Sequence, residues 1–109
     1  MNTINNFSIK PELRDRYKII SYQKRLTMRE LLESDIKKLL ENKEECYKAM
    51  GTPDCSATLT IAIDSEIKKA MATYKLETGA TFRDIVITAM VNRVLKENAN
   101  EHLHPTDLI

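Results

Sequence analysis

The sequence predicts a mostly α fold with a small β-ribbon, built from two strand, helix, helix units in one chain that pair as an intramolecular pseudo-dimer. Three observations carry that expectation. Residue classes repeat at a spacing of 54 positions, the separation of Phe7 from Ile61. Each repeat opens on a short segment of alternating polarity, and each later places an acid three residues after a threonine.

The repeat is gapless. Phe7-Ser8-Ile9-Lys10-Pro11-Glu12-Leu13 aligns with Ile61-Ala62-Ile63-Asp64-Ser65-Glu66-Ile67, and Thr27-Met28-Arg29-Glu30-Leu31-Leu32 with Thr81-Phe82-Arg83-Asp84-Ile85-Val86. In the first unit, residues 1–50, Phe7 and Ile9 point inward from a strand. Asn5 takes an inward slot and Ile4 an outward one, so this strand is expected to be short or to shift register there. Pro11 suits the first helical position, where a missing N–H costs nothing. Leu13, Tyr17, Ile20 and the stem of Lys24 make the buried stripe, Lys24-Arg25-Leu26 the turn, and Thr27 with Glu30 a capping box. The next helix is expected to run long, because Met28, Leu31, Leu32, Ile36, Leu39, Leu40, Tyr47 and Met50 keep a roughly helical spacing. Gly51-Thr52-Pro53-Asp54 stops it. Residues 51–57 read as the linker.

In the second unit, residues 58–97, Leu59, Ile61 and Ile63 face inward and Thr58, Thr60 and Ala62 outward. Asp64 or Ser65 caps a helix whose inward set is Ile67, Ala70, Met71, Tyr74 and the stem of Lys75. Gly79 closes it, since a residue without Cβ tolerates the left-handed backbone of a helix end. Thr81 and Asp84 form the second capping box. The last helix buries Phe82, Ile85, Val86, Ala89, Met90, the stem of Arg93 and Val94, and ends near Lys96. Residues 98–109 read as a loose C-terminal tail. Two separate globules of roughly 50 residues would each bury too little apolar surface, so the halves should share one core.

Composition narrows function. The chain is 42% hydrophobic and 30% charged, an ordinary globular balance. Its longest aliphatic run, Ile85-Val86-Ile87, is far too short to span a bilayer, so a cytoplasmic protein with no membrane partner is expected. Cys46 and Cys55 have no metal-type spacing and read as reduced apolar side chains. His102 and His104 lie in the tail and suggest no metal site. Two glycines in the whole chain leave no phosphate-cradling loop, and no nucleophile sits in a recognisable setting, so neither a cofactor nor an enzyme is expected. Aromatic residues at 6% argue against a stacking platform for single strands. Net charge is +1, and the basic excess concentrates between Arg14 and Arg29, where Asp15 is the only acid.

An isolated strand must pair its backbone somewhere, and the other unit's strand supplies the partner. A two-stranded antiparallel ribbon fits the major groove of B-form DNA. The order strand, helix, glycine turn, threonine-capped helix resembles the ribbon-helix-helix family of DNA-binding regulators, to which the CopG, MetJ and Arc repressors belong. Leu59-Thr60-Ile61-Ala62-Ile63-Asp64 followed by Gly79-Ala80-Thr81-Phe82-Arg83 is similar to that family's strand and the start of its second helix. The likeness covers roughly residues 4–41 and 58–96, and the tandem form resembles TraY-like relaxosome proteins of plasmid conjugation.

The resemblance implies that outward strand residues read bases: Asn6, Ser8, Thr58, Thr60 and Ala62, with Ile4. It implies phosphate contacts at Thr27, Met28 and Arg29 and at Thr81, Phe82 and Arg83, to which Lys24 and Arg25 add cations. None of the base-reading slots holds Arg, Lys or Gln, and Ile4 and Ala62 offer only apolar contact, for instance with a thymine methyl. The expected activity is double-stranded DNA binding, as a transcriptional repressor or a plasmid or phage DNA-processing accessory factor, with self-association on adjacent sites as a further expectation. The rival expectation is an antitoxin-like module that holds a protein partner through its long helix or C-terminal tail.

Overall fold

The computed structural model describes residues 2–48 and 54–109. The elements run β1 (Asn2–Ile9), α1 (Pro11–Gln23), α2 (Met28–Glu41), β2 (Ala57–Asp64), α3 (Ser65–Thr78) and α4 (Phe82–Glu97), followed by 3-10 turns at Ala99–Glu101 and Pro105–Asp107. The chain is thus mostly helical with one two-stranded sheet. Helices α1 and α3 begin at residues 11 and 65, and α2 and α4 at 28 and 82, both pairs 54 apart.

β1 and β2 are antiparallel neighbours, with Asn2 opposite Asp64, Asn6 opposite Thr60 and Ile9 opposite Ala57. Phe7, Ile9, Leu59, Ile61 and Ile63 are buried on the inner face, under which the helices gather. β1 is neither shortened nor shifted at Asn5, contrary to the sequence expectation. Asn5 is half-buried, and its side-chain oxygen accepts a hydrogen bond from the Lys68 ammonium at 3.1 Å, so an inward amide is tolerated without moving the strand. At its other end the ribbon takes Ala57 from the expected linker, because Ala57 pairs with Ile9 and is buried.

One apolar cluster runs from Phe7 to Leu108 and draws on every helix and both strands. Within it lies a polar network. Asp35 of α2, 7% exposed, accepts hydrogen bonds from the Arg93 guanidinium at 2.6, 3.1 and 3.2 Å and from the Tyr17 hydroxyl at 2.8 Å. Arg93 continues to Glu97 at 3.1 Å, which also receives Lys24 at 3.0 Å. Desolvation first, then the neighbouring Asp35 charge, raises the Tyr17 hydroxyl well above the usual phenol range, so it stays a donor. The network ties α1, α2 and α4 together. Helical spacing places Tyr17 and the stems of Lys24 and Arg93 inside and gives no place to Asp35; Tyr17 is buried, but Lys24 lies past the end of α1 and is exposed.

Three further expectations are corrected. The second helix does not run to Met50. It ends at Glu41, Lys43 adopts a left-handed φ of 50°, and the amide of Glu44 bonds back to the Leu39 carbonyl at 3.1 Å. Residues 44–48 then leave the helix to pack on α3 and α4: the Tyr74 hydroxyl donates to the Glu44 carbonyl, and the Tyr47 amide donates to Thr88 Oγ1 at 2.9 Å. Met50 and the stop signal Gly51-Thr52-Pro53 lie outside the described residues.

The tail is not loose. Leu108 is wholly buried, the Lys10 ammonium donates to the Thr106 carbonyl at 3.3 Å, and Arg16 pairs with Glu101 at 3.1 Å. Its aliphatic end supplies the apolar area that anchors it. Finally, Ala70 and Lys75 of α3 are exposed rather than inward, whereas Ile87, Thr88 and Val91 of α4 are buried although they fall outside the predicted stripe. α4 is covered nearly all round because segment 44–48 and three other helices surround it.

Candidate nucleic-acid interface

The outer face of the ribbon carries three cross-strand pairs: Ser8 with Thr58, Asn6 with Thr60, and Ile4 with Ala62. Asn6, Ser8, Thr58 and Thr60 are exposed, Ala62 is half-exposed, and Ile4 is 71% exposed. The strand period of two dictates this alternation, and the antiparallel register brings the six side chains into one strip. At its middle the Thr60 hydroxyl donates to Asn6 Oδ1 at 2.7 Å. That bond orients the Asn6 amide, leaving its NH2 group as a donor directed by a fixed partner. One end of the strip is therefore hydroxylic and the other aliphatic.

A helix N-terminus stands at each end of the ribbon. At the Ser8 end, Arg83 in the first turn of α4 donates from Nε to the Ser8 carbonyl at 2.9 Å, and its guanidinium also reaches Cys55 Sγ at 3.5 Å. At the Asp64 end, Glu33 of α2 accepts from the Asp64 amide at 2.9 Å and pairs with Arg29 at 3.5 Å. Complete capping boxes close both N-termini. Thr27 Oγ1 accepts from the Glu30 amide at 3.1 Å while Glu30 accepts from the Thr27 amide at 3.2 Å; Thr81 and Asp84 do the same, each at 3.0 Å. The boxes satisfy the cap and third-position amides. The first two helical amides, those of Met28 and Arg29 and of Phe82 and Arg83, precede the intrahelical ladder and project along the axis with its partial positive charge.

The remaining sequence-predicted cations separate. The Lys24 ammonium is held by Glu97, and that hydrogen bond, opposed by burial and reinforced by Arg93, keeps the Glu97 carboxyl below its ordinary range. Arg25 is exposed and adopts a left-handed φ of 57° at the position matching Gly79, whose φ is 81°. Met28 and Phe82 are half-buried, so they contribute backbone rather than side chain to the surface, and the Lys75 ammonium lies 5.6 Å from the Phe82 ring centre. Glu33, which pairs with Arg29, is absent from the sequence expectations, and Cys55, read from sequence only as a reduced apolar side chain, instead meets the Arg83 guanidinium; nothing in their local sequence signals either role.

Elsewhere, burial raises the Cys46 thiol, half-buried beside the Tyr74 hydroxyl, which leaves it a poor nucleophile. No helix of the described residues is long and apolar enough to cross a membrane. No family model, no curated protein and no solved structure matches the chain.

Proposed function

We propose that this chain binds double-stranded DNA as a tandem ribbon-helix-helix protein, its two units acting as an intramolecular pseudo-dimer that inserts the β1–β2 ribbon into the major groove. One observation carries the reading: an antiparallel ribbon with a strip of short outward side chains, bracketed by two threonine-capped helix N-termini bearing Arg29 and Arg83. Asn6 and Thr60 are opposite each other and 54 apart, so the centre of the ribbon is also the centre of the sequence repeat. A pseudo-twofold through that pair would match the dyad of a DNA site.

On this reading, the backbone amides at the two helix N-termini and the neighbouring arginines hold phosphates on either side of the groove, while the strip meets base edges. Ser8 and Thr58 offer hydroxyls to one half-site, and Ile4 and Ala62 offer methyl groups to thymine in the other. The preferred site is then an imperfect palindrome. A role as transcriptional repressor or as accessory factor in plasmid or phage DNA processing fits such a reader equally.

In vitro selection from a random duplex pool, followed by replacement of each thymine of the selected site by deoxyuracil, tests it. Loss of affinity confined to thymines of one half-site supports the arrangement. Failure to enrich any sequence removes it. The antitoxin-like reading draws support from the net charge of +1, but the long helix it relied on ends at Glu41, and Leu108 of the tail is buried within the chain.

A further inference from the structure

The C-terminal segment fills a seat that has an open twin. Its last residues pack beside α1, where Lys10 and Arg16 hold Thr106 and Glu101 and where Leu13 and Val94 are completely buried. Adding 54 to Lys10, Arg16 and Leu13 gives Asp64, Ala70 and Ile67, and subtracting 54 from Val94 gives Leu40. Those four residues line a cleft of about 290 Å³ between α2 and α3, completed by Lys37, Glu41 and Glu66. No described segment closes it, for residues 44–48 run instead to Tyr74 and Thr88. Leu40 is accordingly half-buried and Ala70 exposed.

The charge of the seat is reversed between the twins. Lys10 and Arg16, against Glu12, meet a tail whose Glu101 pairs with Arg16, whereas Asp64, Glu66 and Glu41 rim the open cleft against Lys37 and against Lys69, which pairs with Glu66 at 3.4 Å, so the net charge changes from positive to negative. The protein's own tail, with Glu101 and Asp107, is therefore the wrong sign for it. The cleft is also narrower in apolar character, since Lys37 and Glu41 stand where the covered seat has Val91 and Leu95.

We propose that the α2–α3 cleft docks a short segment of a partner protein that inserts one aliphatic side chain between Leu40, Ile67 and Ala70 and sets lysine or arginine against Asp64, Glu66 and Glu41. An aliphatic anchor is the counterpart of the buried Leu108 in the tail that Lys10 and Arg16 hold. The proposal uses the 54-residue correspondence but not DNA binding, and it stands or falls separately from it.

The test uses the full chain, isotope-labelled for NMR, and two synthetic peptides: the sequence of residues 99–109, and the same sequence with Glu101→Lys and Asp107→Lys and an amidated end. The basic peptide should shift the Leu40, Ile67 and Ala70 amides saturably, and the acidic peptide should bind at least about tenfold more weakly. Ala70→Arg, a change at an exposed position, should abolish the shifts. Adding Asp64→Lys, which recreates the Lys10 and Arg16 pair, should reverse the preference toward the acidic peptide. Circular dichroism verifies that each variant is folded, since Asp64 also accepts the Glu66 amide at the start of α3. Absence of saturable shifts at these amides, equal binding of the two peptides, or binding undisturbed by Ala70→Arg would overturn the proposal.

Discussion

Replacing Arg93 by methionine should be among the most damaging single changes in the chain, for a reason that lies in Asp35. That carboxylate is 7% exposed and takes three of its contacts from Arg93, at 2.6, 3.1 and 3.2 Å, against one from Tyr17 at 2.8 Å. Arg93→Met leaves a buried charge with a neutral donor only, and breaking such a pair costs about 3–5 kcal/mol. A domain of this size is stable by only about 5–15 kcal/mol, so the variant should unfold at far lower denaturant. Removing the whole network has a different outcome. Tyr17→Phe, Asp35→Leu and Arg93→Met together leave no orphaned polar group, and apolar replacement of a buried pair ranges from neutral to a gain of about 1–4 kcal/mol. Urea unfolding followed by circular dichroism measures both, the slope of the transition verifying that the unfolding remains two-state. A single variant losing under about 1 kcal/mol, or a triple variant as unstable as the single, would refute the view that the cost is an uncompensated buried charge.

Leu108→Ala should destabilise by about 2–5 kcal/mol in the same assay, as for a fully buried leucine, whereas a loose tail would show no change. Arg25→Gly should stabilise by up to about 1 kcal/mol, because Arg25 holds a left-handed backbone that glycine adopts without strain; no gain in the urea midpoint would contradict this. The Glu97 carboxyl lies below its unfolded value, chiefly through Lys24, so it contributes stability at neutral pH that is lost as pH falls through the folded-state value. Glu97→Gln should therefore flatten the acid side of the stability profile, and an unchanged profile would show that the pair with Lys24 does nothing for folding.

The order of elements was legible because it rests on local signals. The period of two around Thr58 to Ile63, the threonine boxes at Thr27 and Thr81 and the glycine at position 79 each act within a few residues, and the structure bears out the strands, both boxes and the left-handed Gly79. What escaped depends on contacts between distant segments. The helical spacing of Tyr47 suggests a continuing helix, yet Tyr47 packs where Thr88 accepts its amide, a partner 41 residues away. The burial of Thr88, Val91 and Leu108 likewise follows from which chain segments lie over α4 and α1, something no residue announces by itself. The proposed interface shares this division. The outward strip follows from strand alternation, but Glu33 on the Asp64 amide and Arg83 on the Ser8 carbonyl join residues 31 and 75 positions apart.

The most direct measurement of the central claim is binding of a fluorescent duplex carrying the selected site, compared with a scrambled duplex across a range of salt, for the native chain and for Thr58→Ala with Thr60→Ala. These two side chains are exposed, so the variant should fold. The native chain should bind both duplexes with a steep linear dependence on log salt and prefer the selected one. The variant should keep the salt dependence and lose most of the preference. A native chain with no salt-dependent affinity for duplex DNA, or a folded variant with its preference intact, would contradict the claim that the ribbon reads the groove.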